Sequence, residues 1–137
     1  MDERQRHAQG MKVRRQVLGD AHVDRAEANL SPFNEDFQDL ITRLAWGEIW
    51  SRPGLDKNTR SLITIAMLVA LNREEELKMH LGAAANNGVT RDEIKELLLH
   101  AALYCGLPAA NASIKLAEEV FAGQDAAQGD GDGGPEN

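Results

Sequence analysis

Between Leu62 and Leu71 every residue but Thr64 is apolar. On a helix such a run leaves no wet face, so it must be covered by the rest of the protein or by a neighbouring copy. Asn72 breaks the run. Arg73, Glu74, Glu75 and Glu76 then open a second helix that carries His80. Upstream, Glu3 to Leu18 reads as a helix with Met11, Val13, Val17 and Leu18 as its apolar positions. Gly10 interrupts it at a cost of about 1 kcal/mol relative to alanine, and Gly19-Asp20 stops it. Ala21 to Leu30 has weak periodicity and fits an irregular connection or a short helix. Ser31-Pro32 is a helix start, serine as N-cap and proline in the first turn. Phe33, Phe37, Leu40, Ile41, Leu44 and Ala45 follow at the spacing of an amphipathic helix facing a core. That helix continues through Trp46-Gly47-Glu48-Ile49-Trp50 and ends by Arg52, before Pro53. Asp56 caps the next one.

Downstream, Asn87-Gly88 closes the His80 helix, and Thr90 with Glu93 forms a capping box for another. Its stripe is Ile94, Leu97, Leu98, Ala101, Ala102 and Cys105, which makes Cys105 a small core residue. Gly106 and Pro108 end it, and Ala109 to Phe121 is a last amphipathic helix. No strand pattern occurs. The expectation is an all-α domain of about six helices over residues 1 to 122, followed by a disordered acidic tail over 123 to 137, which has no large apolar side chain.

Composition narrows the function classes. With 137 residues, 42% hydrophobic and 27% charged, the chain has the makeup of an ordinary globular domain. A net charge of −7 offers no basic footprint, so nucleic acid is not an expected partner. The single cysteine excludes an internal disulfide and any CxxC pair. The charged N-terminus lacks the pattern of a signal peptide, and the Leu62–Leu71 run falls short of the roughly 20 residues that span a bilayer. A cytoplasmic protein without membrane association is expected.

Three constellations carry candidate chemistry. Arg73, Glu76 and His80 share one helix face, and a carboxylate four residues before an imidazole makes His80 a candidate acid, with Glu76 its partner. A solvated, salt-bridged first turn is the ordinary alternative. Trp46 and Trp50, at i and i+4, form an apolar wall of a pocket or part of a core. Glu48 lies between them, and an indole-lined setting would suit it to general-acid use. Arg52 and Arg60 flank the Pro-Gly turn and suit carboxylate recognition, or serve simply as exposed charges. A metal site is disfavoured, since no two histidines stand at i,i+3 or i,i+4 and no HExxH occurs.

The blocks RxxWGEIWxRPGLDxxTRSLITIAMLVALNREEELxxH and GAAxNNGVTRDEIKELLLHAALYCGLPAAN resemble the carboxymuconolactone decarboxylase family, and the resemblance runs from Lys12 to about Val120, nearly the whole expected domain. The family sits in a superfamily of alkylhydroperoxidase-like helical bundles. Its HxxxAxxxG piece is matched by His80, Ala84 and Gly88. Peroxidase members carry a CxxC whose cysteines would fall at Arg73 and Glu76, so thiol peroxidase chemistry is out of reach here. The resemblance implies conversion of 4-carboxymuconolactone to 3-oxoadipate enol-lactone and CO2, in protocatechuate catabolism by the β-ketoadipate pathway, without a cofactor. It also implies a homo-oligomer, often a hexamer, that takes a lactone dicarboxylate as its small-molecule substrate. The other reading is a non-catalytic oligomeric small-molecule-binding protein on the same fold. For the reaction, His80 with Glu76 would supply a donor or proton, and Glu48 is a second proton-transfer candidate. Arg73, Arg60 or Arg52 would meet the carboxylates beside the walls Trp46 and Trp50.

Overall fold

The structure is a computed structural model that describes residues 1–132. Its described residues form seven α-helices and no strand, which is the all-α architecture expected. They are α1 (Glu3–Leu18), α2 (Asp20–Ala28), α3 (Glu35–Ile41), α4 (Lys57–Leu71), α5 (Glu74–Ala83), α6 (Arg91–Cys105) and α7 (Leu107–Asp132). A π-helical segment, Thr42–Ile49, continues α3, and a 3-10 turn, Ala84–Asn87, continues α5.

Local chemistry sets most boundaries. The Ser31 hydroxyl accepts the N–H groups of Phe33 and Asn34 within a turn, but Asn34 is the N-cap residue and the α-helix begins only at Glu35, later than the start expected at Ser31-Pro32. Asp56 caps α4 by accepting the Thr59 N–H at 2.8 Å. Thr90 and Glu93 form the reciprocal capping box of α6. Asn72 takes φ +58°, the left-handed region that asparagine tolerates, and so turns the chain sharply between α4 and α5. The segment after Gly19 is helical, as α2, and not an irregular connection. The last helix runs past Gly123 as far as Asp132, and Arg91 pairs with Asp125 at 2.8 Å along it. The final part of the expected tail, residues 133–137, lies outside the described residues.

The chain divides into two compact units. The first comprises Met1–Arg60 with Asn86–Gly88. In it α1 lies against the π-helical segment, and the Asn86 side chain donates to the Val17 carbonyl at 3.1 Å. Two glycines let the backbones meet. A Cβ on Gly10 would lie 2.0 Å from the Thr42 carbonyl oxygen, and one on Gly47 would lie 2.5 Å from that of Arg6. Gly10 is therefore a contact point, which outweighs its cost in helix propensity.

The second unit comprises Ser61–Ala85 and the chain from Val89 onward. Its core is built by Ile65 and Val69 of α4, Leu77 and Leu81 of α5, Ile94, Leu98 and Ala101 of α6, and Ala117 of α7. Cys105, expected in this core, is exposed. Two apolar stripes are left uncovered in the single chain, the second of them contrary to expectation. The Leu62–Leu71 run buries only Ile65 and Val69, leaving Ile63, Met67 and Leu71 exposed at i, i+4 and i+8. In the first unit Phe33, Phe37, Leu40 and Leu44 are exposed, with Phe33 98% accessible, so that stripe does not face the protein's own core.

Candidate active site

The sequence-predicted site residues fall into two groups, one in each unit. Arg73, Glu76 and His80 belong to α5 and its start. Arg73 is the N-cap residue; its N–H donates to the Leu68 carbonyl and its own carbonyl accepts from Leu77. Its side chain is exposed and lines a crevice with Asn72, Glu74 and Ser113. Glu76 is exposed as well. His80, one turn on, is buried at 8% accessibility, on a helix whose Leu77, Leu81 and Ala83 are buried with it. At that depth the imidazole is shielded from solvent, unlike that of a surface histidine.

The second group lies on the π-helical segment and the turn after it. The wide winding is visible in the Trp50 N–H, which donates to the Ala45 carbonyl five residues back at 2.8 Å. Hydroxyls bracket the segment: Thr42 Oγ1 donates to the Gln38 carbonyl at 2.9 Å and Ser51 Oγ to the Gly47 carbonyl at 2.7 Å. With this winding Trp46 and Trp50 stack, their ring centroids 5.1 Å apart and their planes tilted by 37°. Trp46 is buried, and its indole N–H has no acceptor among the described residues. Glu48 is half-exposed and accepts from the Arg6 guanidinium of α1, so a cation stands against its carboxylate. Arg60 Nη2 donates to the Arg52 carbonyl at 3.3 Å, which joins the two arginines across the turn. Arg60 is half-buried and Arg52 exposed.

Sequence reasoning missed what α1 brings to this segment. Arg6 is one such residue and Arg14 another. Arg14 is 6% accessible, with Nη1 donating to Thr42 Oγ1 at 3.3 Å and Nη2 to Gln38 Oε1 at 3.0 Å. Burial lowers its pKa, and the Glu27 carboxylate opposes that. The signal was present: Arg6, Gly10 and Arg14 recur every four residues, placing two cations either side of a close-approach glycine on one helix face. His7 Nε2 is 3.4 Å from Asp39 Oδ1, and the His100 ring stacks on Tyr104. Among the described residues no three His, Cys, Asp or Glu side chains gather as a metal ion would require.

Comparison with known proteins adds a decisive observation. Residues 35–119 match the sequence profile of the carboxymuconolactone decarboxylase family. The chain belongs to that family. It is 62% identical to a 4-carboxymuconolactone decarboxylase of Acinetobacter baylyi, over 88% of this chain and 90% of the relative. It is 49% identical to the nitrosuccinic acid decarboxylase npaB of Metarhizium robertsii, over 73% of this chain and 70% of the relative. A Pseudomonas putida 4-carboxymuconolactone decarboxylase is 60% identical over its whole length, which covers 35% of this chain. The profile spans α3 to the first half of α7 and so includes every sequence-predicted site residue. It leaves out α1, which supplies Arg6 and Arg14.

Proposed function

We propose that this chain is a carboxy-lyase that converts 4-carboxymuconolactone to 3-oxoadipate enol-lactone and CO2, a step of protocatechuate breakdown in the cytoplasm. The 62% identity to a protein of that activity, across nearly the full length of both chains, carries the reading. The chemistry explains why the site can be built of ordinary side chains. The departing carboxylate is on the γ-carbon of an α,β-unsaturated lactone, so its bonding electrons flow through the double bond to the lactone carbonyl. The substrate is its own electron reservoir. A nitro acid has the same property, since a nitro group takes up the electrons of a carboxylate leaving the adjacent carbon.

Three tasks remain for the protein: to hold a dianion, to stabilise the oxygen where charge develops, and to return a proton to the α-carbon. In this reading His80 delivers the proton, and Glu76 orients it. Glu48 is the second carboxylate of the site, held against the Arg6 guanidinium. Arg73, Arg60 and Arg52 are the cations available to the two carboxylates, and the Trp46–Trp50 stack is an apolar wall that favours departure of neutral CO2. The exposed stripes Phe33-Phe37-Leu40-Leu44 and Ile63-Met67-Leu71 are covered by further copies of the chain, in a homo-oligomer such as a hexamer.

The test is to mix the purified protein with freshly generated 4-carboxymuconolactone and follow CO2 release and the lactone absorbance, with no metal, thiol or flavin added. Turnover is expected. Binding of the lactone without CO2 release would instead establish the non-catalytic binding protein. In the folded His80→Ala protein kcat should fall by about 100-fold or more, the usual contribution of a general acid. Full turnover in that variant would remove the histidine from the mechanism.

A further inference from the structure

Glu48 is not an isolated carboxylate. It heads a continuous run of alternating charges within the first unit. Arg6 of α1 binds Glu48 and, through Nε, Glu3 at 3.2 Å. Glu3 in turn meets Arg43 Nη1 at 2.8 Å, and Arg43 Nε meets Asp39 at 2.7 Å. His7 closes the run at Asp39. The Arg43 guanidinium, with Arg6 behind it, holds the Glu3 carboxyl below the usual carboxylate range. Arg6 is fixed from its backbone too, because the missing side chain of Gly47 is what admits the Arg6 carbonyl beside it. The residue before Glu48 thus sets the place of the cation that Glu48 binds.

We propose that Arg6 is a positioning residue for Glu48. It holds that carboxylate ionised and oriented, so that Glu48 serves the reaction as an anion and the proton comes from another group. The inference rests on the reading of Glu48 as part of the decarboxylase site. Each turnover consumes one proton as the carbon–carbon bond breaks and the α-carbon gains hydrogen. A carboxylate paired to a guanidinium near neutral pH does not supply it. It instead holds a protonated donor or an ordered water in place. The groups that face Glu48 are Arg6 directly and, through Arg6, Glu3 on α1; Arg43 and Asp39 on its own side of the contact join through Glu3, with His7 beyond them.

The experiment titrates the full-length protein with 13C-labelled glutamate, the Glu48 carboxyl resonance being the one lost in Glu48→Gln. In Arg6→Met, with Arg6→Gln as the second neutral replacement, that resonance should titrate at higher pH by about one unit, the low end for a carboxylate losing a close arginine at a half-exposed site. The acidic limb of the kcat profile should move up with it, because activity is lost as the pH falls through the Glu48 pKa. KM should change less than kcat, and Arg6→Lys should restore most of both shifts. Arg6→Met should add nothing to the profile of Glu48→Gln. An unmoved resonance, or a Glu48 that titrates near neutrality in the unaltered protein, overturns the proposal. A fully active Glu48→Gln overturns it differently, by removing Glu48 from the reaction while the resonance still moves.

Discussion

Gly10 and Gly47 define how closely α1 approaches the π-helical segment, and a methyl group at either would run into backbone rather than into a side chain that can swing away. Gly10→Ala should therefore destabilise the protein by about 3 kcal/mol, the upper range for overpacking, despite alanine's better helix propensity. Gly123→Ala, which meets nothing within 4 Å, should be neutral or stabilising by up to about 1 kcal/mol. Urea titrations of the two variants make the comparison. Asp56 gives a pH prediction at the same scale. The Thr59 N–H, and then its hydroxyl, lower the Asp56 pKa in the folded state. Its contribution is thus complete above the unfolded-state pKa of about 3.9 and fades as the pH falls through the lower folded value. Asp56→Asn should flatten the acid side of a stability-versus-pH curve. Gly10 shows a limit of sequence reading, since propensity records only what a residue costs its own helix. The neighbour that requires the glycine lies 32 positions away, at Thr42.

Helices were legible wherever their ends carry their own chemistry. The Thr90–Glu93 box, the Asp56 cap and the Asn72 corner are all short-range arrangements of side chain and backbone, and all three are present. Thr90→Ala should accordingly cost about 1 kcal/mol in denaturant unfolding. The winding of Thr42–Ile49 was not legible, because α and π turns share a local composition. What distinguishes this stretch is the packing of α1 against it, together with the hydroxyls of Thr42 and Ser51 on nearby carbonyls. The same blindness applies to covering. Periodicity identified the apolar stripe of Phe33, Phe37, Leu40 and Leu44, but it cannot tell a face that packs internally from one left open. Of the candidate site, the nearness of Trp46 to Trp50 followed from their spacing. The Arg6–Glu48 pair did not, being a contact between positions 42 residues apart.

For the molecule as a whole, the open apolar faces set the main expectation. Met67, 58% accessible in the isolated chain, stands at the centre of the Ile63–Leu71 stripe. Met67→Asp should dissociate the assembly, moving sedimentation velocity profiles toward the monomer, whereas the unaltered protein should sediment as an oligomer. A monomeric unaltered protein would overturn that assembly. No helix among the described residues is long and apolar enough to cross a membrane.

The π winding also bears on which length changes this family member can tolerate. A π turn takes up more residues than an α turn, so losing one residue between Thr42 and Ile49 lets the stretch rewind as ordinary helix. Because the wide turn had absorbed that residue, everything beyond the cut would keep nearly its direction about the helix axis, whereas the same deletion within an ordinary α-helix would swing it by about 100°. Gly47 and Glu48 would go on facing Arg6 of α1 where the residue lost precedes them. A single-codon deletion ahead of Trp46 should accordingly be borne better than one within α1 or α4, where no wide turn takes up the change.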